Sequence, residues 1–299
     1  MAASPLPSRW QRTLGSYVQP AMVAGLIAFW WLAPVGWVKW QWTVAVVSMV
    51  ITALILGMEL IAERHASWRM NRTEFATDTF YLLLDTFAIG WFTEKLADDP
   101  LGALKQHWGI TTLWAQHLPF VGQVALVIFL VEFGQYWMHR LMHNHPLFWS
   151  VHAPHHHITQ LNAMKGEVGN PIELFLISLS VVALFDLSPA AEFCAFNILG
   201  VVSTFAHANV RWEPPRWYAF FFVTIRNHSL HHSVPYEDTR CNYANSLIMI
   251  DRVLGTFRDG EAELVGQDQR RRLSVWEQFV FPLRMLRDAV KARRTEVAL

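Results

Sequence analysis

The sequence predicts an all-α, integral-membrane helical bundle of about four transmembrane helices and a membrane hairpin, with a cytoplasmic cap of histidine-rich helices. Three observations predict it. Residues 21–38 and 40–58 carry no charged side chain, and each run approaches the roughly 20 apolar residues that a helix needs to cross the hydrocarbon core. Charged residues are only 16% of the chain and mean hydropathy is +0.21, whereas soluble domains carry about 25% charge. Eleven of the fourteen histidines lie between positions 139 and 232, and most are spaced three or four apart, the spacing that shares one helix face.

Each element follows in order. The first run, Ala21 to Val38, and the second, Trp40 to Met58, read as two spans. Trp30, Trp31, Trp37, Trp40 and Trp42 gather around Lys39 between them, as an interfacial aromatic belt would. Thr79 to Thr93 is apolar except for Asp85 and reads as a third crossing. Leu118 to Met138 is apolar except for Glu132 and runs straight into the first histidine cluster. Pro171 to Phe185, with Glu173, and Leu187 to Ala206, with Glu192, flank Asp186 and a Leu-Ser-Pro turn, and read as a hairpin that dips into the bilayer and returns.

Charge sets the orientation. Arg9 and Arg12 precede the first run, and Arg64, Arg69 and Arg72 follow the second, so both ends are expected on the cytoplasmic side. If Thr79 to Thr93 crosses, the histidine clusters return to that side too. Arg140, Lys165 and the basic stretch after Arg270 agree, with both termini inside. Formal net charge is zero, which offers no basic field for nucleic acid. The two cysteines, Cys194 and Cys241, form neither a CxxC pair nor a disulfide framework.

The histidines form three clusters: His139 and His143 as HxxxH; His152, His155 and His156 as HxxHH; and His228, His231 and His232 as HxxHH. A lone HxxxH is structural more often than not, but the repeated pattern argues against chance. Eight imidazoles exceed what one ion can use, so the clusters predict a two-metal site wrapped almost wholly in nitrogen ligands. Metal-bound imidazole is neutral at pH 7 and suits iron, zinc and copper. A neutral cage leaves positive charge on the metals and favours an anionic oxygen species between them.

The order HxxxH, HxxHH, apolar hairpin, HxxHH resembles the fatty acid hydroxylase/sterol desaturase superfamily of membrane-bound di-iron oxygenases. The approach Glu132-Phe-Gly-Gln-Tyr136-Trp-Met-His139-Arg140 is similar, as are Leu161-Asn162, Asn242-Tyr243-Ala244-Asn245 and Asp251-Arg-Val-Leu-Gly255-Thr256-Phe257. The resemblance covers roughly residues 120–260. It implies an N-terminal transmembrane region (1–117), a fatty acid hydroxylase-type catalytic domain (118–260) and a cytoplasmic C-terminal tail (261–299). The implied metal ligands are His139, His143, His152, His155, His156, His228, His231 and His232, with His207 as a ninth at the end of the returning hairpin helix. Also implied are two iron ions, O2, and electrons from an external donor, a separate ferredoxin- or cytochrome-like protein, since no CxxCH or clustered cysteines occur. The implied reaction inserts oxygen into an unactivated C–H bond of a fatty acyl or sterol-like membrane lipid, in a bacterial inner membrane.

There are departures and open alternatives. Asn170-Pro171 stands where many relatives carry His-Pro, and Ala244 replaces a glycine. Pro154, inside the second cluster, is expected to begin a helix, where proline is tolerated. Asp251 either supports a ligand imidazole or pairs with Arg252 or caps a helix, and Glu132 invites the same supporting reading. Asp85 and Glu173 read equally as polar groups in helix packing. His145 and His157 lie off the pattern and are expected in solvent or beside a ligand. The Phe220-Phe221-Phe222 segment and the hairpin are expected to line the pocket. Desaturation by the same site is a competing reading. A histidine-lined metal transporter and a di-zinc hydrolase are the readings from other classes.

Overall fold

A computed structural model describes residues 9–40 and 42–297. The helices are α1 (Arg9–Ser16), α2 (Val18–Trp31), α3 (Val35–Lys39), α4 (Thr43–Ile61), α5 (Arg72–Leu83), α6 (Gly90–Thr93), α7 (Asp99–His107), α8 (Phe120–Asn144), α9 (Pro146–His156), α10 (Pro171–Ser178), α11 (Pro189–His207), α12 (Arg216–Phe221), α13 (Ile225–His231), α14 (Met249–Leu254) and α15 (Val275–Val297). Among the described residues there is no strand, only isolated antiparallel bridges, Glu63 with Val210 and Ser233 with Val265. The side chains of Arg9 and Arg12 and the last two residues, on which the topology expectation partly rests, lie outside the described residues.

Helix α11 is the axis of the bundle. Ala191, Cys194, Ala195, Ile198, Val201, Val202 and Phe205 recur at helical spacing and are buried, against α2, α4 and α8. Small residues on this face let neighbouring backbones approach closely. Buried Asn197 ties three helices: it accepts the Trp30 indole N–H at 2.9 Å and donates to Ser48 Oγ at 2.8 Å. Such polar links hold helices together where the surroundings are apolar. Trp30 is therefore core, not belt, whereas Trp31, Trp37, Trp40 and Trp42 are exposed as a belt requires.

Three helices of the described residues are long and apolar enough to cross a membrane: α4, α8 and α11. Two of the four expected spans differ. The first run is not one helix, because Pro34 cannot continue α2; α2 ends at Trp31 after 14 residues, about 21 Å. The third run lies within a helical rod over 72–107 that twice widens its turn, at Leu84–Ile89 and at Glu94–Asp98, so it contains no long uninterrupted α-helix. The rod runs from the histidine end of the bundle, where Glu74 meets Lys165, to the far end, where Lys105 bonds Asp186 at 2.7 Å. Helix α8 then returns to the histidines. In the hairpin, α10 stops after eight residues and α11 makes the full return.

Candidate metal centre

Each histidine is placed by a helix end. The last two turns of α8 present His139 and His143, α9 presents His152, His155 and His156, and α13 presents His228 and His231, with His232 as its C-cap. His207 is the final residue of α11. All nine are at most 6% exposed. They fall into two groups whose ligand atoms lie within 4.8 Å of one another: His139, His143, His152, His156 and His231; and His155, His207, His228 and His232. The split follows helix geometry. Residues i and i+4 lie about 40° apart on a helix, and i+3 lies to the other side of i. His152 and His156 therefore face one group and His155 the other, while His228 and His232 face the second group and His231 the first.

The imidazole hydrogen bonds show which nitrogens are free. His139 Nδ1–H donates to the Tyr243 carbonyl at 2.6 Å, His231 to Cys241 at 2.7 Å, His155 to Val168 at 2.7 Å and His207 to Ser203 at 2.9 Å. Their Nε2 atoms consequently carry bare lone pairs. Yet His139 Nε2 stands 3.0 Å from His231 Nε2 and 3.0 Å from His152 Nε2, which is itself 3.0 Å from those of His143 and His156. In the second group, His228 Nε2 is 2.9 Å from His207 Nε2 and 3.1 Å from His232 Nε2. Lone pairs this close repel unless a cation lies between them. A separation near 3.0 Å is also the edge of an octahedron whose metal–nitrogen bonds are about 2.1 Å, so the donor set fits divalent metal. Burial holds His152 down to about 3 and keeps His155, His156, His228, His231 and His232 below the usual imidazole value, so these rings are neutral ligands at pH 7.

A ring of supports fixes the ligands. Glu173 Oε1 accepts His152 Nδ1–H at 2.6 Å, the carboxylate–imidazole pairing that sets a ligand's tautomer and basicity. Glu173 also closes a capping box at the start of α10, with Asn170 as N-cap. Asn170 thus serves as a cap and donates to the Gln278 and Phe279 carbonyls at 2.8 and 3.1 Å; it does not stand among the histidines. Asp251 does not reach an imidazole and does not pair with Arg252. It accepts the N–H groups of Tyr243 and Ala244 at 2.8 and 2.9 Å and the Thr256 hydroxyl at 2.6 Å, and so holds the peptide whose carbonyl takes His139. Glu132 clamps the same loop from α8, accepting the Ser246 and Leu247 N–H groups at 2.9 Å. Asn242 adopts φ +50°, tolerated by asparagine, and its amide binds the Asn227 and Arg258 carbonyls at 3.0 and 2.9 Å.

Other expectations fare differently. Pro154 does not begin a helix. It lies in the last turn of α9, which starts at Pro146, so only one backbone bond near the helix end is lost. His157 is buried but bonds the Ala153 carbonyl at 2.8 Å and joins neither group. Lys165 is no surface cation: it is 2% exposed and pairs with Glu74 and Asp78, at 2.7 Å for Asp78. Phe220 and Phe221 are about half exposed on α12, with the Arg252 guanidinium 5.2 Å from the Phe220 ring. Glu173 was legible as part of Asn170-Pro-Ile-Glu173, a capping-box pattern, but no sequence signal aims its second oxygen at His152. The carbonyl acceptors of Tyr243, Val168 and Cys241 have no side-chain signature at all.

Fold and site define a membrane-embedded protein with a closed double histidine cage. The fatty acid hydroxylase family profile matches residues 124–256. An ornithine lipid hydroxylase of Rhizobium tropici is 31% identical over 228 residues, 72% of this chain and 66% of that protein. A very-long-chain aldehyde decarbonylase of Oryza sativa subsp. indica is 28% identical over 144 residues, covering 46% of this chain and 53% of that protein. A Delta(7)-sterol-C5(6)-desaturase of Nicotiana tabacum is 29% identical over 146 residues, covering 48% and 52%. The chain thus spans just under two thirds of the first relative's length and about half that of the other two. No solved structure matches the chain significantly. This chain belongs to the fatty acid hydroxylase family.

Proposed function

We propose that this protein is an integral-membrane, O2-dependent lipid hydroxylase that works with two iron ions, one in each histidine group. The observation that carries this reading is the convergence of bare Nε2 lone pairs at about 3.0 Å, with their Nδ1 protons committed to carbonyls and Glu173. Bound iron supplies the activation of O2 that no amino-acid side chain provides. The chain's own residues hold and shield that chemistry. His139, His143, His152, His156 and His231 would hold one ion, and His155, His207, His228 and His232 the other. Glu173 and the Asp251-clamped Tyr243 peptide orient two of these rings. Burial of all nine excludes bulk water, which protects a reactive oxidant from side reactions.

The substrate is a fatty acyl or sterol-like membrane lipid, a reading supported by relatives named for an ornithine lipid and a sterol. A separate ferredoxin- or cytochrome-like protein supplies electrons at the cytoplasmic face of a bacterial inner membrane, and residues 118–260 form the catalytic domain. Desaturation by the same cage is the second reading, favoured by the desaturase relative. A metal transporter is disfavoured because the histidines are closed in at helix ends. The test is metal analysis of anaerobically purified protein together with O2 uptake on addition of lipid. About two irons per chain and lipid-dependent uptake are expected, and metal without uptake would reject the oxygenase. Product analysis then separates hydroxyl from double bond.

A further inference from the structure

Away from the histidines, a cleft of about 800 Å3 opens between the end of α4 and the start of α5. Its apolar wall follows α4 from Ala53 through Gly57 to Leu60, about 10 Å along the helix, and Phe75 faces it from α5. Leu60 and Ile61 are 87% and 75% exposed beside the mouth, where the membrane-crossing helix meets the interface. The floor includes Asn209, two residues beyond His207. The cleft therefore touches the chain just past the end of α11 and opens along the exposed end of α4.

Its polar groups are nearly all committed elsewhere. Arg69 bonds Glu63 at 2.6 and 2.9 Å, the Asn71 side chain caps α5, and the Trp68 indole N–H donates to the Glu263 carbonyl at 2.7 Å. The Asn209 side-chain oxygen Oδ1 accepts the His65 N–H at 2.8 Å and its Nδ2 donates to the His65 carbonyl at 3.0 Å. Glu59 uses only Oε1, which accepts the N–H groups of Ala163 and Asn209 at 2.8 Å each. What remains is one carboxyl oxygen, Glu59 Oε2, and one guanidinium, Arg72, neither with a partner among the described residues. They set an acid and a base at the polar end of an apolar trough.

We propose that this cleft is a seat for a zwitterionic aminolipid, whose ammonium meets Glu59, whose acidic group meets Arg72 and whose acyl chain lies along α4. The inference rests on the lipid-oxygenase reading and narrows it to lipids that carry both an amine and an acid in the head. A purely anionic lipid would satisfy Arg72 but bring like charge to Glu59. An aminoacyl lipid and a phosphoethanolamine lipid share the required chemistry and differ only in the acid.

The test is native mass spectrometry of the full-length protein in detergent, with an aminoacyl lipid, phosphatidylethanolamine and phosphatidylglycerol as probes. Retention of one or both amine-bearing lipids about tenfold better than phosphatidylglycerol is expected, since a single charge-assisted hydrogen bond supplies at least that factor. The preference between the two identifies the acid. Arg72→Gln should weaken aminolipid retention about tenfold. Glu59→Gln, which keeps an oxygen for the two N–H groups, should do the same. Gly57→Leu is the variant that spares the fold: a Cβ at Gly57 meets nothing within 4 Å, so the new side chain fills the cleft and should exclude lipid. Equal retention of all three lipids, or wild-type retention by Gly57→Leu and Arg72→Gln, overturns the seat. O2 uptake separates the two readings. Lipid-dependent uptake without selective retention rejects the seat alone, and selective retention without uptake rejects the oxygenase alone.

Discussion

Glu173→Gln isolates the carboxylate behind His152. The variant keeps an oxygen to accept His152 Nδ1–H, now at 2.6 Å from a carboxylate, but removes the negative charge that raises the basicity of the ring. Glutamine also turns an N–H toward the Asn170 N–H that Glu173 Oε2 accepts at 3.3 Å. Removing such a partner costs about 10–100-fold in metal affinity, or about 1.4–2.7 kcal/mol. His152 belongs to the five-histidine group alone, so the loss should be confined to one of two ions. The assay is a chelator titration of iron-reconstituted protein with metal content read at each step. One ion should leave at about 10–100-fold lower chelator, while the second leaves as in wild type. Glu173→Ala should lose that ion more readily still, because it strands a buried donor and opens the capping box. If Glu173→Gln releases both ions together, or neither earlier than wild type, then Glu173 is not a partner of one metal group and the division into two groups is wrong.

Four further outcomes are expected. His231→Ala should abolish lipid-dependent O2 uptake while membrane insertion persists, and His107→Ala, outside both groups, should leave uptake unchanged; His207→Gln should lower the metal content of the four-histidine group. Lys165→Met leaves Asp78 buried without a cation and Glu74 with Arg272 alone, which should cost about 3–5 kcal/mol in a denaturation assay, and adding Asp78→Asn should recover part of it. The Arg64 hydrogen bond draws the Glu261 carboxyl down to about 2 from 4.5; the unfolded chain therefore binds the proton first, so this contribution is complete above about pH 4.5 and lost as pH falls toward 2. Melting temperatures of wild type and Glu261→Gln should accordingly converge as acid is added. Finally, a reporter fused after Leu299 and one inserted between Asp98 and Lys105 should read on opposite faces of the membrane; the same face for both would mean that the rod over 72–107 does not cross.

The structure departs from what the sequence pattern implies at breaks and partners more than at elements. The uncharged run from Ala21 to Val38 looked like a span because hydropathy sums over residues, but Pro34 lacks the N–H that a continuing helix needs. Lys165 counted as an interfacial cation because charge tallies ignore burial. Trp30 counted with the belt although its indole N–H is spent on Asn197 inside the bundle.

By itself the sequence determined the helical class, the apolar lengths and the eight clustered histidines spaced three or four apart, because these are local properties of a chain coiling at 3.6 residues per turn. Only the tertiary structure decided the rest. It brought His207 within 2.9 Å of His228, 21 positions away, and divided each HxxHH between two groups. It also turned Glu173 of α10 toward His152 of α9 and placed Asp251 one peptide behind His139. These pairings join helices whose relative placement depends on how α8, α9, α11 and α13 pack together, and spacing along a single helix does not encode that packing.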